Sequence, residues 1–302
     1  TDPSAKSTMQ SSLITTVLLP LALGIIMFGL GLHLRIADFA RVLRMPRPVA
    51  IGLAAQMLVL PPIAFALCLV FALPKPLAIG LMLLAASPGG ATANVFSHLA
   101  RGDVALNITL TAINSVLALV TLPLIVQWSM QYFLGSEASV PPPVQKIIEV
   151  GTIILVPVAF GMLLRARAPA IADRVERVVK PLSLVILVGL IVLSVIKERD
   201  MVRTHVASVA IVCLLLNLLS LGVGYGCALL ANIERRQAIA IAFEIGIHNS
   251  TIAIFIALNV LGESAFSIPA AIYSLLMYFT GAAVVWWFRR THIGPENAVA
   301  RT

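Results

Sequence analysis

Charged residues are scarce in this sequence of 302 residues. They make up 11% of the chain, whereas 60% of its residues are apolar. An ordinary globular domain is about one quarter charged and less than half apolar, so this composition excludes a soluble globular protein. A membrane helix needs about 20 apolar residues to cross the hydrocarbon core. The apolar residues of this chain therefore suffice for about nine spans.

Cysteine is also rare, and the residue sets that enzymes use are missing. The three cysteines, Cys68, Cys213 and Cys227, lie inside apolar stretches without paired spacing. This pattern excludes a disulfide framework and a cysteine-based metal site. The sequence contains no Ser/His/Asp set, no His-x-x-x-His pair and no phosphate-binding loop. We therefore predict that the chain is not an enzyme.

Long apolar runs separated by short polar breaks dominate the chain. They predict nine membrane spans, at residues 13–32, 49–73, 77–100, 104–132, 144–164, 181–196, 206–230, 237–261 and 266–288. The fold class is thus an all-α polytopic membrane protein with a single integral membrane domain at 13–290. Residues 1–12 and 291–302 are interpreted as polar tails, and residues 1–8, before Met9, as a remnant of cloning.

Positive charge is distributed unequally between the two sides of the predicted membrane domain. Of the 21 Lys and Arg residues, fifteen lie in loops and tails on one side and six on the other. Because basic loops stay in the cytoplasm, we expect the N-terminus outside and the C-terminus in the cytoplasm, in a multi-pass protein of the cell (inner) membrane. The net charge of +8 is then an orientation signal and implies no nucleic-acid partner.

Two triplets of spans, the second to fourth and the seventh to ninth, enter the membrane from opposite sides. The middle span of each triplet is interrupted by polar and helix-breaking residues, at 87–94 and at 244–251. Matching interruptions in two halves are typical of transporters with inverted repeats and a binding site near the membrane midplane. The sequence therefore predicts such a repeat, with the site at the two breaks.

Glu244 is the only acidic residue that falls deep inside a predicted span; the other twelve lie in loops, tails or span ends. A carboxylate at that depth costs about 2.5 to 3.5 kcal/mol on the insertion scale, so a bound cation or a proton is needed to balance it. Neutral oxygen donors are present in the spans as Gln56, Asn94 and the i, i+4 pair Asn107 and Thr111. Such side chains either bind a hard cation or link helices by hydrogen bonds.

Four motifs together resemble the bile acid:sodium symporter family over residues 20–285. They are the glycine-rich run GIIMFGLGL at 24–32, the segment SPGG at 87–90 followed by NVFS at 94–97, the turn RGD at 101–103, and EIGIHN at 244–249. The resemblance implies a core with two broken, crossing helices at 49–132 and 206–288, and a separate panel of helices at 13–32 and 144–196. It also implies two Na⁺ sites behind the crossing and an organic anion between core and panel.

The resemblance assigns roles residue by residue. The first Na⁺ site takes Asn94, Asn107, Thr111 and Glu244. The second takes Gln56, Glu244 and the backbone carbonyls near Ile245, Ile247 and His248. The substrate faces Asn249, together with Asn94, Thr92, Ala91 and Ser250. Three positions depart from the family pattern: Ala93 stands where Ser is usual, Asn107 also replaces a Ser, and His248 replaces a Gln.

We therefore expect a sodium-coupled symporter that imports an organic anion, such as a bile salt or a small carboxylate, by alternating access within the lipid bilayer. A proton-coupled carrier that uses Glu244 and His248 is the main alternative. An ion channel fits less well, because a single acid between glycine-broken helices resembles an occluding site more than a charge-ringed pore. The substrate and the oligomeric state stay open.

Overall fold

The computed structural model describes residues 19–135 and 144–291. Within these residues the regular structure is entirely helical, with no strand. The predicted tails, apart from Thr291, and the start of the first predicted span lie outside the described residues. The α-helices are α1 Leu19–His33, α2 Ile36–Ala40, α3 Pro46–Ala54, α4 Leu60–Val70, α5 Lys75–Ala86, α6 Ala91–Leu99, α7 Val104–Leu134, α8 Val144–Arg167, α9 Pro169–Lys197, α10 Arg199–Leu230, α11 Arg235–Gly246, α12 Ser250–Phe255 and α13 Ile268–Arg290.

Several of these helices are long and apolar enough to cross a membrane. Four pass this test by length and composition in the described part of the chain, and a fifth is added if the bent pair Pro20–His33 and Ile36–Leu43, with 65° between its helices, forms one span. The four are Pro46–Val70, Val104–Leu134, Arg199–Leu230 and Ser264–Arg290. For the described residues, an all-helical structure with four to five candidate spans is therefore established, and the total of nine stays a prediction.

Helices α5 and α11 are each too short to span a bilayer alone. Each has 12 residues, which gives about 18 Å at 1.5 Å per residue, against a hydrocarbon core of about 30 Å. After a break at 87–90 the chain continues as α6, and after a break at 247–249 it continues as α12. Both pairs are thus broken helices, as the sequence predicts.

The breaks are shorter than the predicted stretches 87–94 and 244–251. Only four residues in the first and three in the second leave the helical conformation, so that Asn94 lies inside α6 and Glu244 inside α11. In the second break, Asn249 caps the next helix, because its side chain accepts a hydrogen bond from the Ile252 N–H at 3.4 Å. A polar side chain at a helix N-cap restores a hydrogen bond that the first turn lacks, which lets the helix resume early.

The turns that lead into the two broken helices have the same geometry. Ala72 and Asn232, 160 residues apart in the sequence, have left-handed backbones with φ of 45° and 54°. The next residues, Leu73 and Ile233, each donate a backbone hydrogen bond to a carbonyl five residues earlier, at 3.0 and 2.9 Å. The two segments therefore enter their broken helices through the same helix-ending motif.

Helices α1, α8 and α9 pack against one another as one group. Gly31 and Gly161 permit a close approach of α1 and α8, since a Cβ added to either would lie 2.2 to 2.4 Å from a backbone oxygen of the other helix. Arg165 ties the same ends together: its Nε donates to Leu32 O at 2.7 Å and its guanidinium pairs with Asp173 and Glu176 on α9. The remaining long helices pack mainly around the two broken ones.

Candidate functional site

The two breaks lie directly against each other. The Asn249 N–H donates to the Pro88 carbonyl at 2.8 Å, and His248 Nδ1 lies 3.0 Å from the Ser87 carbonyl oxygen. Gly89 and His248 form an isolated antiparallel bridge between the two segments. These contacts satisfy backbone groups that the interrupted helices leave unpaired. The point where the helices lose their regular hydrogen bonds is therefore a fixed junction.

Glu244 lies at this junction. It stands on the last turn of α11, is only 2% exposed, and packs so closely on the other break that a Cβ on Gly89 would lie 2.5 Å from its Oε1. Thr111 Oγ1 donates to Glu244 Oε2 at 2.5 Å. None of the ion pairs among the described residues includes Glu244. A carboxylate buried without a basic partner needs a proton or a cation to balance its charge.

Helix α7 presents two polar side chains to α11, one turn apart. Asn107 Nδ2 donates to the Ala240 carbonyl at 2.6 Å, and Thr111, four residues later, reaches Glu244, four residues after Ala240. Residues four apart on a helix share a face. Asn107 and Thr111 on α7 therefore face Ala240 and Glu244, which are also four residues apart, on α11. The structure thus brings three of the predicted ligands of the first Na⁺ site to one helix interface.

Gln56 contacts the first break, at 87–90, from helical turn 55–59. Its Nε2 donates to the carbonyls of Ala85 and Ser87 at 3.3 and 3.2 Å. Gln56 lies in a widened helical turn, Ala55–Val59, just before the two prolines of α4. A proline cannot donate a backbone hydrogen bond and its ring clashes with the preceding turn, which accounts for the distortion that places this side chain at the break.

Several buried oxygens around the junction have no hydrogen-bond partner. In the part of the chain that the structure describes, the amide oxygens of Gln56, Asn94 and Asn107 are buried and accept no hydrogen bond. A buried, unsatisfied polar atom costs about 1 to 3 kcal/mol. Neutral oxygens and carboxylates are the ligands that a hard cation prefers, so these oxygens together with Glu244 fit Na⁺. The described residues hold no group of three or more His, Cys, Asp or Glu suited to a metal ion.

The carbonyl of Gly246, between Ile245 and Ile247, is fixed by two side chains that the sequence interpretation missed. Asn217 Nδ2 donates to it at 2.7 Å and the Tyr273 hydroxyl at 2.8 Å. Asn217 corresponds to Gln56, because each amide donates to a backbone carbonyl 29 residues later in the sequence, Gly246 for Asn217 and Ala85 for Gln56. An amide deep inside the apolar run 206–230 was the signal that could have identified Asn217.

A cavity of about 650 Å³ opens beside the junction. Helices α1 and α9 form one wall, and the two breaks with α6 and α13 form the other. Four of the five predicted substrate residues line it, namely Ala91, Thr92, Asn249 and Ser250, and His248 lines it as well. Asn94, the fifth, is not among the lining residues; it is buried in the first turn of α6. The structure therefore joins the predicted substrate residues in one cavity, next to the polar junction.

On the wall of this cavity that α1 and α9 form, the acidic side chain of Glu176 has basic partners. His33 Nε2 lies 3.0 Å from Glu176 Oε1, and the other oxygen of Glu176 accepts from Arg165 at 2.5 Å. Lys180 also lines the cavity and takes part in none of the ion pairs of the described residues. Helix α6 begins without a side-chain cap, at Gly90, so its first N–H groups add partial positive charge. These features favour an anionic occupant.

A smaller, apolar cavity of about 60 Å³ lies on the other side of the first break. Pro88 and Ile252 bound it on the junction side, and residues of α7 and α8, including Leu122 and Ile154, close it. The junction thus separates a large cavity with polar groups from a small apolar one.

Comparison with known proteins gives the same family that the motifs suggest. Residues 20–205 match the description "Sodium Bile acid symporter family". The chain is 30% identical over 272 residues to the uncharacterized sodium-dependent transporter YocS of Bacillus subtilis (strain 168), covering 89% of this chain and 82% of YocS. It is 27% identical over 290 residues to the probable chloroplastic sodium/metabolite cotransporter BASS2 of Oryza sativa subsp. japonica, covering 95% and 67%. It is 28% identical over 248 residues to sodium/bile acid cotransporter 5 of Rattus norvegicus, covering 82% of this chain and 56% of the rat protein.

Proposed function

The chain belongs to the sodium bile acid symporter family, and from this premise we propose that it is a sodium-coupled symporter that brings an organic anion into the cell. Members of this family are sodium-dependent membrane transporters of bile acids and other metabolites, not enzymes. The resemblance carried by the sequence motifs is thereby confirmed, and so is the prediction that the chain is not an enzyme.

The observation that carries the proposal is the buried carboxylate of Glu244 at the junction, without a basic partner in the described residues. We infer that Na⁺ neutralises it. The first ion is held by Asn94, Asn107, Thr111 and Glu244. The second is held by Gln56, Glu244 and the carbonyls near Ile245, Ile247 and His248. The unsatisfied amide oxygens of Gln56, Asn94 and Asn107 support this assignment.

The departures from the family pattern at positions 93 and 107 are compatible with the first site. Ala93 offers no side-chain oxygen, and Asn107 offers one amide oxygen where the usual Ser would offer one hydroxyl oxygen. Because its Nδ2 is held by the Ala240 carbonyl, its Oδ1 is free to coordinate an ion. We propose that this oxygen takes the place of the Ser hydroxyl that is usual at position 107, so that the first site has one side-chain oxygen fewer than the family pattern.

The proposed architecture has nine spans, two inverted repeats, and a core that moves against a panel. The matched turns at Ala72 and Asn232 and the matched amides Gln56 and Asn217 support the repeat. The separate packing of α1, α8 and α9 supports a panel at 13–32 and 144–196 against a core at 49–132 and 206–288. With the N-terminus outside, the basic loops lie in the cytoplasm.

In the proposed mechanism the large cavity is the substrate site. Na⁺ bound at the junction neutralises Glu244 and links the two broken helices, which favours the arrangement that accepts the anion. The anion binds beside Asn249, where helix N-termini offer N–H groups. Movement of the core against the panel would enlarge the small apolar cavity as the large one closes, giving access from the opposite side.

Replacement of Glu244 by Gln tests the proposal. The purified protein and its Glu244→Gln variant would be compared by thermal unfolding in NaCl and in KCl, and by uptake of candidate organic anions into proteoliposomes. We expect the wild type to be stabilised by Na⁺ in particular, since a ligand that binds only the folded protein stabilises it. The variant should lose both the Na⁺ response and the Na⁺-driven uptake, because a neutral amide no longer requires a cation.

The exposed Asp200→Asn substitution, an acid-to-amide change outside the site, is the matched control and should behave as the wild type. Full Na⁺-driven uptake by Glu244→Gln would contradict the sodium proposal. Uptake that follows a pH gradient and ignores Na⁺ would favour the proton-coupled carrier with Glu244 and His248 instead. Single-channel currents would favour a channel.

A further inference from the structure

His33 and Glu176 join α1 to α9 on the wall of the large cavity, and both residues line it. His33 is the last residue of α1. Its Nδ1 lies 2.8 Å from the Gly29 carbonyl oxygen, and its Nε2 lies 3.0 Å from Glu176 Oε1. The other oxygen of Glu176 pairs with the Arg165 guanidinium. A carbonyl and a carboxylate only accept hydrogen bonds, so both ring nitrogens donate and His33 is an imidazolium in this arrangement.

The same arrangement leaves Lys180 without an ionic partner in the described part of the chain. Lys180 follows Glu176 by four residues on α9, a spacing at which the two side chains usually attract each other. However, His33 and Arg165 already occupy the two oxygens of Glu176, and Arg165 also pairs with Asp173. Two acids are thus balanced by two basic groups. Lys180 is exposed, lines the cavity and adds an uncompensated positive charge to this wall.

We propose that Lys180 binds a second anionic group of the transported molecule, so that the protein prefers organic dianions, such as dicarboxylates or sulfated sterol acids, to monoanions of similar size. This inference rests on the proposed function, in which the first anionic group lies beside Asn249. Lys180 stands on the opposite wall of the same cavity. Apolar side chains that also line the cavity, including Leu30, Phe96 and Leu184, suit the carbon skeleton that joins the two groups.

Of the three basic side chains in this cluster, Lys180 can serve a ligand without giving up an existing contact. His33 and Arg165 hold Glu176, and turning either one to a ligand would leave that carboxylate less well balanced. A lysine carries a compact charge on a flexible stem, so it accepts a carboxylate or a sulfate without a strict geometry. The preferred class is therefore defined by the second charge and not by the chemical group that bears it.

Matched pairs of anions that differ by one charge test this inference. Succinate with butyrate, and taurolithocholate 3-sulfate with taurolithocholate, would be titrated by calorimetry in NaCl at neutral pH and constant ionic strength against the purified full chain. The readout is the affinity ratio of dianion to monoanion, compared between the wild type and Lys180→Met, so that differences in hydration between the two anions cancel. An ion pair at an exposed cavity wall corresponds to about three- to tenfold in affinity. The ratio should fall by this factor in at least one pair.

Three further variants separate this ion pair from a general effect of positive charge. Lys180→Arg keeps the charge and should retain most of the wild-type ratio. Lys197→Met removes a lysine from the other end of α9, which does not line the cavity, and should leave the ratio unchanged. His33→Leu frees one oxygen of Glu176 to attract Lys180 and should lower the ratio, whereas adding Glu176→Gln to it should restore the ratio.

An unchanged ratio in Lys180→Met for both pairs, or an equal fall in Lys197→Met, would overturn the inference while sodium-dependent binding leaves the proposed function intact. If none of the four anions binds the wild type in a Na⁺-dependent manner, the proposed function fails and the inference fails with it. Sodium-dependent binding without an effect of Lys180 and the absence of sodium-dependent binding are thus distinct results.

Discussion

Replacing Gly89 with Ala should weaken sodium binding through a steric effect on Glu244. The added Cβ would lie 2.5 Å from Glu244 Cδ and Oε1 and 2.6 Å from Oε2. These distances are about 1 Å shorter than ordinary contact between heavy atoms. The carboxyl group is held on its other side by Thr111 at 2.5 Å, and Gly89 is fixed by its bridge to His248. Neither side can yield freely, so the carboxyl must move away from the junction.

The size of the effect follows from this displacement. Overpacking a tight site costs about 1 to 3 kcal/mol, and a loss of 1.4 kcal/mol from the sodium-bound state corresponds to about a tenfold weaker affinity. At a Na⁺ concentration 100 times the wild-type dissociation constant, bound Na⁺ stabilises the protein by about 2.7 kcal/mol. A tenfold weaker site would retain about 1.4 kcal/mol at the same concentration. The difference, about 1.3 kcal/mol, shifts the Tm by roughly 3 to 5 °C.

The assay is thermal unfolding of wild type and Gly89→Ala over a series of Na⁺ concentrations, with ionic strength held constant by KCl. The midpoint of the Na⁺ response should move to a concentration at least about tenfold higher. Gly226→Ala is the matched control, since a Cβ there meets nothing within 4 Å and a helical Gly→Ala change adds up to about 1 kcal/mol of stability. If Gly89→Ala has the wild-type Na⁺ midpoint, Glu244 is not part of the sodium site in the geometry described.

Two further predictions concern the carbonyl of Gly246 and the orientation of the chain. Tyr273→Phe removes one of two donors to that carbonyl and should lower the free energy of unfolding by about 0.5 to 1.5 kcal/mol. Asn217→Ala removes the hydrogen bonds to both the carbonyl and Tyr273 and should lower it by more. Equal losses of unfolding free energy in the two variants would contradict this order. The orientation is tested by labelling single cysteines, in a background without the three native ones, with a membrane-impermeant maleimide. Thr291→Cys should react only from the cytoplasm and Gly135→Cys only from outside. The reverse labelling would refute the proposed topology.

The sequence singled out several residues that the structure brings together, because polar and charged residues are rare inside membrane spans. Glu244 is conspicuous in an apolar span, and the four-residue spacing of Asn107 and Thr111 indicates one helix face. In the structure Thr111 contacts Glu244 and Asn107 reaches the same helix. Asn217 and Tyr273 were missed, because their importance lies in the carbonyl they hold, and that partner is 27 or 29 residues away in sequence.

The broken helices show where sequence patterns are less precise. Gly and Pro residues indicated that both helices break, but the predicted breaks were too long. The side chain of Asn249 caps α12, and α6 resumes directly after Gly90, so the regular hydrogen bonds return within a few residues. The predicted starts of the sixth and seventh spans, at 181 and 206, also fall inside longer helices that begin at Pro169 and Arg199, because a helix can continue beyond the apolar segment into polar surroundings.

Composition and periodicity alone determined that this is an all-helical membrane protein with two interrupted helices and a single deep acid, since burial in lipid penalises charge and unpaired backbone at every position. The tertiary structure alone decided which groups meet at the interruptions: the contact of Gly89 with Glu244, the two donors on Gly246, and the ring of His248 held against the Ser87 carbonyl. These contacts join residues far apart in sequence, and their geometry depends on how whole helices pack, which no local pattern encodes.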